Sequence, residues 1–131
     1  VRKFFEKRQE ILENLIELRD EISPELIFVP ASDDCHQDHQ VINHEGFRAF
    51  KKSTILGYEL PWNNHNFKNT FYFCLNNKNI KAKVNALKEY ESQNRKNYFN
   101  PAFIESLARV RGVQIDQNYA EAFEVLRVIV K

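Results

Sequence analysis

Nowhere in the 131 residues does an apolar run approach the roughly 20 needed to cross a bilayer, which excludes a membrane-spanning helix. The amino terminus is charged and amphipathic and lacks the apolar stretch and small-residue cleavage site of a secretory signal. Positive charge is not in excess either: 19 Lys and Arg face 18 Asp and Glu, a net charge of +1, so the electrostatic footprint of a strong nucleic-acid binder is missing. Cysteine is scarce. Cys35 and Cys74 lie far apart and outside any CxxC pattern, and reduced thiols in the cytoplasm are the simpler reading of such a pair. Methionine is absent altogether, and the chain opens on Val1-Arg2-Lys3 in what reads as a helix already under way, the signature of a piece of something longer or of an unusual start.

What is present is globular: 43% hydrophobic and 28% charged residues, with no repeat, low-complexity tract or linker, hence one domain over 1–131. Phe4, Ile11, Leu12, Leu15, Ile16 and Ile22 recur at helical spacing among charged residues until Ser23-Pro24 ends the helix. Leu26-Ile27-Phe28-Val29 follows, four apolar residues without alternation, as expected of a strand buried on both faces. Val41, Ile42, Phe47 and Phe50 return to helical spacing through about Lys52. Strands are expected at 54–60 and 70–75, and a helix over 80–93 with Ile80, Val84, Leu87 and Tyr90 on one side. A further helix starts at Pro101, carries Phe103, Ile104, Leu107 and Val110 inward, and ends at Gly112 as a C-terminal cap. A closing strand is expected over 123–130. This alternation predicts an α/β domain with helices on a mostly parallel sheet.

The densest set of reactive groups is Asp33-Asp34-Cys35-His36-Gln37-Asp38-His39, between the first strand and the next helix. Ligands of open α/β sheets sit in the crevice beyond the carboxyl ends of the strands. A helix start there offers unpaired N–H groups to a developing oxyanion. His36 and His39, three apart, could project from one face, and imidazole is a good zinc donor. The plain alternative is that the stretch only begins a helix, with Asp38 in a capping role. Cys35 beside His36 is poorly placed for an ion pair and reads as a loop residue. His44 and His65 read as surface residues, although the Asn63-Asn64-His65-Asn66 loop could border the crevice. The locally basic stretch of Lys78, Lys81, Lys83, Lys88, Arg95 and Lys96 reads as a solvated helix face. Arg111, Gln114 and Glu121 read equally as buried partners or as substrate-facing groups.

At Asp34-Cys35-His36-Gln37-Asp38-His39-Gln40 the chain resembles the second signature of the PIG-L (LmbE-like) deacetylases, zinc hydrolases that remove acetyl groups from N-acetylglucosaminyl substrates. The resemblance continues through Ile55–Asn63, Tyr90–Gln93 with Arg95, Ala108–Gln114 and Tyr119–Val125, in the same order. It implies a Rossmann-like sheet, with His39 a zinc ligand, His36 acting at the tetrahedral oxyanion, and Asp38 orienting His36. Arg111, Gln114 and Glu121 become substrate-binding candidates. The chain departs from the family in having no His-Pro pair, so the His-Pro-Asp-Asp-Glu motif that supplies two zinc ligands and the general base is absent. The resemblance therefore implies an incomplete, C-terminal part of the domain: a zinc-dependent deacetylase of an N-acetylated sugar when complete, inactive alone. It would associate with its missing portion or with another copy. The alternative is a catalytically incomplete sugar-binding or protein-interaction module.

Overall fold

A computed structural model of the chain describes residues 3–90 and 96–131. Four helices and four strands alternate: α1 (Arg8–Ile22), β1 (Leu26–Pro30), α2 (Gln37–Ala49), β2 (Thr54–Tyr58), β3 (Phe71–Leu75), α3 (Asn77–Lys88), α4 (Pro101–Val113) and β4 (Tyr119–Arg127). A 3-10 turn, Asn97–Phe99, precedes α4. The strands follow the order β1-β2-β4-β3, and the sheet is mixed: β1 and β2 run parallel, β2 and β4 antiparallel. The fold is α/β with flanking helices. The chain forms two compact units, the described residues up to Phe71 with Phe123–Lys131, and Tyr72–Ala122.

In the first unit β1 pairs with β2 from Leu26↔Thr54 to Pro30↔Tyr58, and β2 pairs with the end of β4 through Leu56↔Val125 and Tyr58↔Phe123. α1 and α2 cover one face of these strands around Leu12, Val29, Ala49, Phe50 and Ile55, with Leu15, Ile16, Ile27 and Leu126 packed against them. The other face is not covered in the same way. Leu26 and Phe28 are 40% and 48% exposed, which corrects the expectation of a strand buried on both faces. The apolar run alternates after all, with Ile27 and Val29 meeting the helices while Leu26 and Phe28 face outward; hydrophobicity alone does not reveal that alternation.

α2 lies very close to β1. A Cβ at Gly46 would stand 2.9 Å from a methyl carbon of Val29, so only glycine permits this separation. Glu45, next to it, is fully buried and takes two guanidinium groups, Arg8 of α1 (Nε at 2.8 Å) and Arg48 (2.6 Å). Such pairing is the condition for burying a carboxylate. Asn43 ties the middle of α2 to the end of β1 by donating to the Pro30 carbonyl at 2.7 Å.

α1 begins at Arg8, after turns over residues 4–7, and ends at Ser23 in a left-handed conformation (φ 50°). Phe4 and Ile22, expected inward, are exposed: Phe4 lies in the turns before α1 and Ile22 is the helix's last residue.

In the second unit Ile80, Ala108 and Tyr119 form a small core with Leu75 against it. Asn76 and Asn79 cap α3 reciprocally, and Asn100 caps α4 with Pro101 in its first turn. α3 ends at Lys88, leaving Tyr90 exposed, and the part of the expected helix over 91–93 lies outside the described residues. Val110, expected inward, is exposed, and Ala108 occupies the inward position. Gly112 is not a left-handed cap but a buried residue of the last turn of α4. A Cβ there would stand 2.6 Å from the Gln117 carbonyl oxygen, where the chain turns back toward β4. β4 starts at Tyr119, earlier than expected, because Tyr119 and Ala120 are buried; it stops at Arg127, beyond which the Ile129 amide bonds the Thr54 hydroxyl instead of a strand.

Candidate functional site

The loop between β1 and α2 is held from both flanks. The Ala31 amide continues the strand by donating to the Tyr58 carbonyl (3.1 Å), and the Asp34 amide returns to the Ala31 carbonyl (3.2 Å), closing a turn. The Asn63-Asn64 segment runs alongside: the Cys35 amide donates to the Asn63 carbonyl (3.1 Å), and Asp34 bridges Asn64 in antiparallel fashion. The Asn63–Asn66 loop thus borders this site through its asparagines. His65 itself is exposed, as is His44.

Asp34 organises the loop. Its side chain is wholly buried; Oδ1 accepts the His36 amide at 2.8 Å, and Oδ2 lies 2.7 Å from Nδ1 of His39. Its carbonyl accepts the Gln40 side-chain amide at 3.1 Å. A carboxylate against Nδ1 fixes the imidazole with its proton on that nitrogen and leaves Nε2 as the lone-pair donor, the tautomer that metal-ligating histidines adopt. His39 keeps 29% of its side chain exposed.

His36 is the residue that starts α2. Its extended backbone (φ −75°, ψ 121°) precedes the first turn, and its Nδ1 accepts the Asp38 amide at 3.2 Å. An accepting Nδ1 puts the proton of neutral His36 on Nε2, making it a donor there. The two rings stack with centroids 4.5 Å apart and 30° between planes. Two histidines three apart thus carry opposite tautomers, one a lone-pair donor and the other a proton donor. The Asp38 contact to His36 runs through its backbone amide; its Oδ1 is a buried atom without a hydrogen-bond partner among the described residues, as is Nδ2 of Asn64.

A second carboxylate, Glu124 of β4, lies under the same loop. It is 5% exposed, with Oε2 accepting the Ser32 amide and Oε1 the Ser32 hydroxyl, both at 2.7 Å. Lys68 stands 3.4 Å from Oε1. Gly57 makes room: a Cβ there would lie 3.3 Å from Oε2 and 3.0 Å from the Ala31 Cα. Tyr58, next along β2, has its phenol pushed above the usual range, first by burial and then by the Asp34 charge. Sequence reading placed Asp34 in the reactive cluster without giving it a role of its own, and missed Glu124. The adjacent Asp33 and Asp34 look equivalent on paper, and Glu124 is brought to Ser32 only by the antiparallel return of β4.

Arg111, Gln114 and Glu121 belong to the second unit. Arg111 donates to Gln114 Oε1 at 3.1 Å, the Tyr72 hydroxyl donates to the same oxygen at 3.2 Å, and Glu121 pairs with Lys83. Cys35 and Cys74 are both free and exposed. Among the described residues no group of three or more His, Cys, Asp or Glu side chains is placed to hold a metal ion. These residues alone do not fit a metal.

Among the described residues no helix is long and apolar enough to cross a membrane. No family model matches the chain, and no curated protein does. Solved structures do match. A conserved protein from Thermus thermophilus superposes with a TM-score of 0.72 at 20% identity, covering 96% of this chain and 60% of its own length. The N,N'-diacetylchitobiose deacetylase from Pyrococcus horikoshii, solved with its inhibitor, superposes with a TM-score of 0.67 at 16% identity, covering 89% of this chain and 51% of its own. The chain spans little more than half the length of these proteins and shares their α/β fold.

Proposed function

We propose that this chain is the histidine-bearing part of a metal-dependent hydrolase of the PIG-L type, which removes the acetyl group from an N-acetylated sugar when the fold is complete. The observation that supports this is the buried Asp34 carboxylate against Nδ1 of His39, which leaves Nε2 as the ring's lone-pair donor. The remaining donors come from outside these residues, and the chain alone binds metal poorly. A divalent ion, zinc by its preference for imidazole, would polarise the acetyl carbonyl and activate water.

The protein's own contribution is positional. His36, with its proton on Nε2, donates to the oxygen that gains charge as the carbonyl becomes tetrahedral. Asp38 fixes His36 through its amide. Arg111, Gln114 and Glu121, in the second unit, stand as candidate substrate contacts. The likeness of fold to a deacetylase of an acetylated disaccharide supports this reading, and the two exposed thiols suit a reducing, cytoplasmic setting.

The test uses the polypeptide together with any segment encoded before Val1, titrated with zinc by calorimetry and assayed for acetate release from N-acetylglucosaminides. Stoichiometric binding that His39→Ala abolishes, with activity that His36→Ala reduces by about a hundredfold or more, is the expected result. Binding that survives His39→Ala overturns the reading.

A further inference from the structure

Glu124 has no role in the chemistry described above, yet it is a nearly fully buried carboxylate at the root of the histidine loop. Burying a carboxylate is costly unless each oxygen is satisfied. Here both oxygens are spent on a single residue, Ser32: amide on Oε2 and hydroxyl on Oε1, each at 2.7 Å. Two short bonds from one residue to a carboxylate form a clamp, which fixes orientation as well as distance. The space for it is built in, because Gly57 has no side chain where any other residue would crowd Oε2 and the Ala31 backbone. Lys68, 62% exposed, approaches Oε1 from the solvent side at 3.4 Å and completes the pairing.

Ser32 lies two residues before Asp34, in the turn closed by the Asp34 amide on the Ala31 carbonyl. Holding Ser32 therefore sets where the Asp34 carboxylate begins, and Asp34 in turn holds His39 by Nδ1 and His36 by its amide. We infer that Glu124 is a positioning residue: it clamps Ser32 to β4 so that Asp34 keeps His39 in the tautomer with Nε2 free. This rests on the proposed function only for what Nε2 then binds; the positioning itself is a property of the chain.

The experiment is imidazole nitrogen NMR on the chain without metal, which reports the tautomer of each histidine. In the unsubstituted chain His39 carries its proton on Nδ1 and His36 on Nε2. In Glu124→Ala the His39 preference is lost toward the mixture of an ordinary imidazole, with exchange of its Nδ1 proton accelerated about tenfold, as befits a weakened charge-assisted bond. Exposed His65 stays unchanged, and Lys68→Ala, which leaves both Ser32 bonds in place, leaves His39 as it was. Should Glu124→Ala not fold, Ser32→Ala gives the same reading more mildly, since it removes the hydroxyl arm of the clamp. A folded variant whose His39 keeps its Nδ1 proton and its slow exchange overturns the inference. Failure of zinc binding or of acetate release would leave this tautomer result standing, so the two readings fail separately.

Discussion

Asp34 and His39 form a carboxylate–imidazole pair at 2.7 Å in which the acid is fully buried and the base partly open to solvent. The asymmetry gives each partner a separate job. The acid spends its oxygens inside the protein, on His39 and on the His36 amide, while the imidazole keeps one nitrogen for something outside.

Replacing Asp34 with Asn tests that division. The amide offers one oxygen where the carboxylate offers two, so either the His36 amide or the His39 ring loses its acceptor. The variant should lose about 1–3 kcal/mol of stability in urea unfolding, and His39 should lose its fixed tautomer by nitrogen NMR.

His36 carries two roles that substitution can separate. Its Nδ1 caps α2, so His36→Ala should cost about 1 kcal/mol. His36→Asn, which can accept the same Asp38 amide, should restore that stability without restoring any activity of the complete protein. Thermal unfolding beside an acetate-release assay shows both halves of the result.

Tyr58 gives a pH dependence of known sign. Its phenol is pushed up by burial first and by Asp34 second, so the folded state holds the proton more tightly than the unfolded chain does. The stability that this provides is fully present below the ordinary tyrosine value of about 10 and is lost as pH rises from there through the folded value. Tyr58→Phe should flatten the decline above about pH 10, as seen in urea midpoints measured across the alkaline range.

The two glycines with close backbone neighbours should tolerate nothing larger. At Gly57 a methyl group meets the Ala31 Cα at 3.0 Å and Glu124, and at Gly112 it meets the Gln117 carbonyl oxygen at 2.6 Å. Each Gly→Ala change should destabilise by about 1–3 kcal/mol in denaturant unfolding. Only Gly57→Ala should also disturb the His39 resonances if its crowding reaches Ser32 through Glu124.

The alternation of helices and strands was legible because helical spacing and proline stops are local signals: Ser23-Pro24 ends α1, and Asn100-Pro101 begins α4 where expected. The histidine pair was legible as a motif at a strand-to-helix junction. What sequence could not show is which neighbouring acid faces inward. Asp33 is 42% exposed in its side chain and Asp34 is not exposed at all, a distinction made by the turn and the Asn64 bridge. Nor could it show Glu124 meeting Ser32, a contact between residues 92 apart that exists only once β4 has returned beside β2. The exposure of Leu26 and Phe28 was hidden for a related reason: a uniformly apolar strand carries no mark of which face its helices take.

Gly46 acts as a gauge. With nothing but hydrogen between its backbone and the Val29 methyl, it sets how far the histidine-bearing helix stands off the strand beneath it. Any bulkier residue there would press on that methyl, and either Val29 or the helix that carries both imidazoles would have to give, so the seat of the reactive rings depends on an atom that is missing rather than on one that is present.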